Sequence, residues 1–128
     1  MKWFLYGVVL SILIASCTQA TAHEMVPTYP KLRQSHLDNV YVTTMKMFNR
    51  RADVDYYEVG VFDKDFNPIP FVTGYRVIKL EYLGHVTFDV YIRKADVSRV
   101  EYICSLSKLQ KDNSVKTAVA SKICSKVK

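Results

Sequence analysis

Residues 85–94 (HVTFDVYIRK) alternate without a break, with Val86, Phe88, Val90 and Ile92 at every second position and Thr87, Asp89, Tyr91 and Arg93 between them. A period of two places the apolar set on one face of a strand and the polar set on the other. Such a strand is stable only when a second layer covers its apolar face. Other runs supply that layer. Residues 55–62 (DYYEVGVF) put Tyr57, Val59 and Val61 opposite Glu58 and Gly60, and residues 39–48 (NVYVTTMKMF) are rich in β-branched and aromatic types. Residues 75–83 (YRVIKLEYL) set Arg76, Ile78, Leu80 and Tyr82 against Tyr75, Val77, Lys79 and Glu81. Residues 100–107 (VEYICSLS) alternate Val100, Tyr102, Cys104 and Leu106 with Glu101, Ile103, Ser105 and Ser107. Turn-forming clusters separate the runs, at Asn49-Arg50-Arg51, at residues 63–68, at Thr73-Gly74, at Leu83-Gly84 and at residues 111–114. Short strands without a helical crossover predict an all-β, antiparallel sandwich.

The start of the chain reads as an export signal. After Met1-Lys2, residues 3–15 (WFLYGVVLSILIA) form an apolar run too short to span a bilayer comfortably and suited to a signal core. Ala20-Thr21-Ala22 offers small residues for signal peptidase, which gives a signal peptide over residues 1–22 and a domain over residues 23–128. Ile14-Ala15-Ser16-Cys17 offers a second route, a lipobox in which Cys17 is lipidated and tethers the chain to a membrane. On either route Cys104 and Cys124 remain as a pair in an oxidising compartment, and a disulfide between them is the economical expectation. A closed loop of about 20 residues contributes about 3 kcal/mol in the chain-entropy picture. If the two cysteines face each other across an antiparallel pair, the midpoint falls at residue 114, inside a turn signal, so a disulfide-stapled C-terminal hairpin is expected. The bacterial periplasm or secretion is the expected location.

Charge is segregated. Residues 23–104 carry 11 basic and 11 acidic residues, whereas residues 105–128 carry six lysines against Asp112 alone. A basic tail can meet a membrane surface or an acidic partner. Lysines interleaved with Val, Ala and Ile equally describe the solvated face of an edge strand, where they discourage unwanted pairing. Nucleic acid is not an expected partner, because the tail lacks arginine and the chain is exported.

Catalysis finds little support. No His lies beside a Ser or Cys in a recognisable nucleophile arrangement, and Ser105 and Ser107 read as strand residues. Asp63-x-Asp65-x-Asn67 opens like a calcium loop, but Pro68 stands at the sixth position and Gly74 at the twelfth, which leaves an Asx turn. The sharpest metal alternative is copper. Cleavage after Ala22 makes His23 N-terminal, so that its amine and ring nitrogen chelate Cu(II) with His36 or His85 as a further ligand. The competing expectation for His23 is a frayed, solvated terminus.

The run Val54-x-Tyr56-Tyr57-Glu58-Val59-x-Val61-Phe62-Asp63-Lys64, then Val86-x-Phe88-Asp89-Val90-Tyr91-Ile92-Arg93, then a strand whose Cys104 can pair with a C-terminal Cys124, resembles a PapD-like immunoglobulin domain. This is the N-terminal domain type of periplasmic pilus chaperones. The resemblance covers residues 26–127 and implies a β-sandwich whose last strand meets a protein partner by β-augmentation. Val119, Ile123 and Val127 form the implied apolar row, with Lys122 and Lys126 beside it. The chaperones of that family carry a second immunoglobulin-like domain, and a disulfide-locked end strand is ill suited to donation. The expectation is therefore a non-enzymatic binding or structural module, without a cofactor, that docks an envelope, secretion or pilus-type partner.

Overall fold

The computed structural model describes residues 22–108 and 120–128. The proposed signal segment, Cys17, the turn at residues 111–114 and Val119 lie outside the described residues. Among the described residues, eight strands and one short helix follow in order: β1 (Glu24–Val26), β2 (Arg33–Gln34), β3 (Val40–Phe48), β4 (Tyr56–Phe62), β5 (Val77–Lys79), β6 (His85–Arg93), α1 (Lys94–Val97), β7 (Tyr102–Lys108) and β8 (Lys122–Lys126).

All strand pairs are antiparallel, and they build two sheets. In the first, β6 runs along the whole of β3 from Val40↔Arg93 to Phe48↔His85. The other edge of β3 is shared by β1, through Met25↔Met47, and β2, through Arg33↔Val42. The second sheet has the order β5-β4-β7-β8. Together they form the expected immunoglobulin-like antiparallel sandwich.

The core follows the sequence period. Tyr57, Val59 and Val61 of β4 turn inward, as do Met45 and Met47 of β3, Val90 and Ile92 of β6 and Ile103 of β7. Burying each such side chain is worth about 1.5–3 kcal/mol, so the alternation read from sequence is the main force that pairs the two sheets. Ile123 of β8 and Val127 just beyond it pack against the same core.

Besides β1 and β2, which no sequence run announces, two elements differ from expectation. The run at residues 75–83 pairs only over Val77–Lys79. Its second half is captured by Asn49: the Leu83 N–H donates to the Asn49 carbonyl, the Asn49 N–H donates to the Gly84 carbonyl, and the Asn49 side chain donates to the Leu80 carbonyl. Leu83 takes φ 61° to make that turn. The helix α1 has no sequence signal of its own. It is fixed by Asp96, which is buried and receives Arg93 and Arg99, and these two guanidiniums hold its carboxyl below the usual carboxylate range. The Asx turn is as expected, with the Asp65 and Asn67 N–H groups both donating to Asp63 Oδ1.

Candidate functional site: the seam between β1 and β8

The last strand meets β7 in the register predicted for a stapled hairpin. Cys104 and Cys124 are directly opposed, with Cα atoms 4.0 Å apart, and are joined by a disulfide. Close Cα spacing marks a non-hydrogen-bonded pair, so the backbone groups of Cys124, and those of Lys122 and Lys126 in phase with it, point away from β7. Of these outward groups the Lys126 N–H donates to the Thr28 carbonyl at 3.0 Å, and the Lys128 N–H donates to the Pro30 carbonyl at 3.0 Å. Among the described residues, the outward groups of Lys122 and Cys124 have no backbone partner. Among the described residues, the edge of β8 is therefore hydrogen-bonded at its C-terminal end and without a backbone partner at its start, where β1 lies beside it.

The chain reaches β8 from the first sheet by a detour. After β1 it passes a cis Val26–Pro27 bond, places residues 28–30 against β8, and returns to β3 as β2. Just before β1, His23 ties the same seam from inside. Its Nε2 lies 2.6 Å from Ser105 Oγ and its Nδ1 lies 3.1 Å from Ser121 Oγ. The ring packs on Tyr57 at 4.5 Å between centroids. Arg51 donates through Nη1 to Ser121 Oγ while Nε and Nη2 grip Asp53. Ser107 Oγ accepts the Ser121 N–H at 2.7 Å. Tyr57 Oη donates to Asn49 Oδ1 at 2.6 Å.

The environment sets the charge of this seam. Burial lowers the pKa of the His23 ring below its usual value, a hydrogen bond to the Ser105 backbone opposes the change, and the nearby Arg51 guanidinium reinforces it. Arg51 is itself pushed up by its hydrogen bond to Asp53. The Tyr57 hydroxyl is pushed up to about 12, chiefly by burial. The donors form one consistent chain for a neutral ring: Arg51 to Ser121 Oγ, Ser121 to Nδ1, and Nε2–H to Ser105.

His23 thus departs from expectation. It is 1% exposed, neither frayed nor solvated, because two serines and a tyrosine ring enclose it. Nor are the candidate copper ligands gathered. His36 is exposed in the turn after β2, and His85 begins β6 on the outer face beside Phe48. Among the described residues no group of three His, Cys, Asp or Glu side chains is placed to hold a metal. The Ser105–His23 contact was missed in the sequence. It has the spacing of a nucleophile and its base, but Ser105 is 0% exposed and Nδ1 faces a hydroxyl instead of a carboxylate, so substrate has no approach to it. The signal lay in β7, where the set Ile103, Ser105, Ser107 shares a face. Two serines on a buried face require buried partners.

The residues expected to meet a partner divide by parity. Ile123 and Val127 turn inward onto the core, because they share the phase of the buried Ser125. These two members of the apolar row are thus partly buried against the sandwich core, and Val119 lies outside the described residues. Lys122 and Lys126 turn outward and are exposed. Lys122 Nζ sits 4.9 Å and 4.7 Å from the rings of Phe62 and Phe66, and Lys126 pairs with Glu101 at 3.4 Å. The lysines of β8 are those of a solvated edge.

No protein-family model matches the sequence, and no curated protein matches it. Solved structures do share the fold. The crystal structure of the E. coli chaperone DraB superposes with a TM-score of 0.64 at 14% sequence identity, over 85% of this chain and 54% of that chain. At this identity the likeness is one of fold. The chain spans about half the length of the chaperone it matches.

Proposed function

We propose that this chain is an exported, non-enzymatic binding module that docks a protein partner of the bacterial envelope, of secretion or pilus type, along the open start of the β8 edge. The observation that carries the reading is the half-closed edge: residues 28–30 occupy the backbone groups of Lys126 and Lys128, while among the described residues the outward groups of Lys122 and Cys124 have no backbone partner. An unpaired edge is a template for strand addition. The chaperone-like fold supports a protein partner, and the disulfide is consistent with export. Residues 1–22 serve as the signal peptide in this reading.

A proline at position 122 tests it. Lys122 turns its N–H away from β7, so Lys122→Pro leaves the β7–β8 ladder intact and deletes one outward donor, a substitution that edge strands tolerate. In an exporting bacterial host, chemical cross-linking captures an envelope partner with the parent chain and loses it with the Lys122→Pro chain. Equal capture by both chains, or a monomer under all conditions, contradicts the reading.

A further inference from the structure

The two sulfurs of the Cys104–Cys124 disulfide have unlike surroundings. Thiol–disulfide exchange requires a thiolate to attack one sulfur and expel the other, and the attack runs in line with the bond. Here the bond crosses from β7 to β8, because the two cysteines are directly opposed. The line to Cys104 Sγ therefore comes from the side of β4, whose residue opposite Cys104 is Gly60. That line is filled. A methyl group at Gly60 would meet the Phe62 ring at 2.7 Å, so the ring lies across the glycine. Phe66 extends the cover, 6.1 Å from Phe62 between centroids and stacked on Tyr102 at 4.6 Å. Cys104 is 2% exposed.

The line to Cys124 Sγ comes from beyond β8, where among the described residues no strand pairs with Cys124. Cys124 is partly exposed, and Lys122 and Lys126 flank it on the same outward face. The Lys122 ammonium lies over Phe62 and Phe66 and adds to the cover on the Cys104 side, and Lys126 pairs with Glu101.

We propose that thiol–disulfide exchange enters this protein through Cys124. An anionic thiolate forms a bond to Cys124 Sγ, the Cys104–Cys124 bond breaks, and Cys104 leaves as the thiolate and takes a proton from water. The attacking thiol is the reductant. In the reverse direction the Cys104 thiolate attacks a mixed disulfide on Cys124, expels the thiolate carried there and closes the native bond. The reactant class is a low-molecular-weight thiol reacting as its thiolate; the inference shares the unpaired Cys124 edge with the docking reading but needs no protein partner.

The test uses the folded, oxidised chain and reduced glutathione, quenched with N-ethylmaleimide before peptide mass analysis. Glutathione is expected on Cys124 and the maleimide on Cys104, exceeding the reverse pattern by about tenfold or more. Equal or reversed labelling overturns the proposal. Phe62→Ala should raise glutathione labelling of Cys104, and an unchanged ratio in that folded variant contradicts the shielding.

Discussion

The two open flanks of the sandwich are held in different ways. Between β1 and β8 the sheets are tied by directional contacts: His23 to Ser105 and Ser121, Arg51 to Ser121, and the carbonyls of Thr28 and Pro30 to β8. Across the molecule, at β5 and β6, a backbone bridge joins Val72, ahead of β5, to Tyr91 of β6, and Asn49 holds Leu80, Leu83 and Gly84 between the two strands. Beside it lies a cleft of about 400 Å³ lined by Ile78, Val86, Phe88 and Tyr75. Val72 is 68% and Tyr75 77% exposed on that side. Hydrogen bonds fix geometry, whereas apolar contact is non-directional. The flank with the proposed docking edge is thus held by a denser set of buried side-chain hydrogen bonds, and the other combines a few bonds with a mainly apolar cleft.

Substitutions should expose this difference in rank order. Replacing both cysteines by serine removes the covalent tie between β7 and β8 and should cost about 3 kcal/mol in urea unfolding under oxidising conditions. A loss below about 1 kcal/mol would mean that the ladder alone specifies the flank. His23→Ala leaves the hydroxyls of Ser105 and Ser121 without their shared partner and should cost about 2 kcal/mol, read from the same titration. On the other flank, Tyr75→Ser touches an exposed side chain and should stay within about 0.5 kcal/mol of the parent. A larger loss would show that the apolar flank is also specified.

Acid sharpens the comparison through one residue. His23 has its pKa lowered in the folded state from 6.5, so the unfolded chain binds the proton more readily. Stability from this group is complete above 6.5 and falls as pH drops below it. Arg51, Asp53 and Asp55 are the charged groups near the Tyr57–His23 contact, and only Arg51 adds to the drop in the His23 pKa. The carboxylates of Asp63 and Asp96, lowered from 3.8, lose their contributions further down. Chemical denaturation at pH 7 and pH 5 should therefore show a decline in the parent chain that is smaller in His23→Ala. An equal decline in both would place the effect elsewhere.

Much of the frame was legible in the sequence because burial follows period. The runs at residues 39–48, 55–62 and 85–94 match β3, β4 and β6 to within a residue. Cysteine parity and one turn signal located the staple of β7 to β8. What could not be read depends on partners distant in the chain. His23 is bonded to residues 82 and 98 positions away, and no local pattern encodes that. The three-residue β1 and two-residue β2 are too short to show a period. The apolar row on β8 was seen, but its direction was not, since alternation defines two faces without saying which one the core takes.

Photo-crosslinking from single positions compares the flanks directly in the exporting host. A photoreactive residue at position 122 reports the open start of β8, and one at position 75 reports the apolar flank. The docking reading predicts a discrete envelope adduct from position 122 and none from position 75. An adduct from position 75 alone, or from neither position in a folded, exported chain, contradicts it.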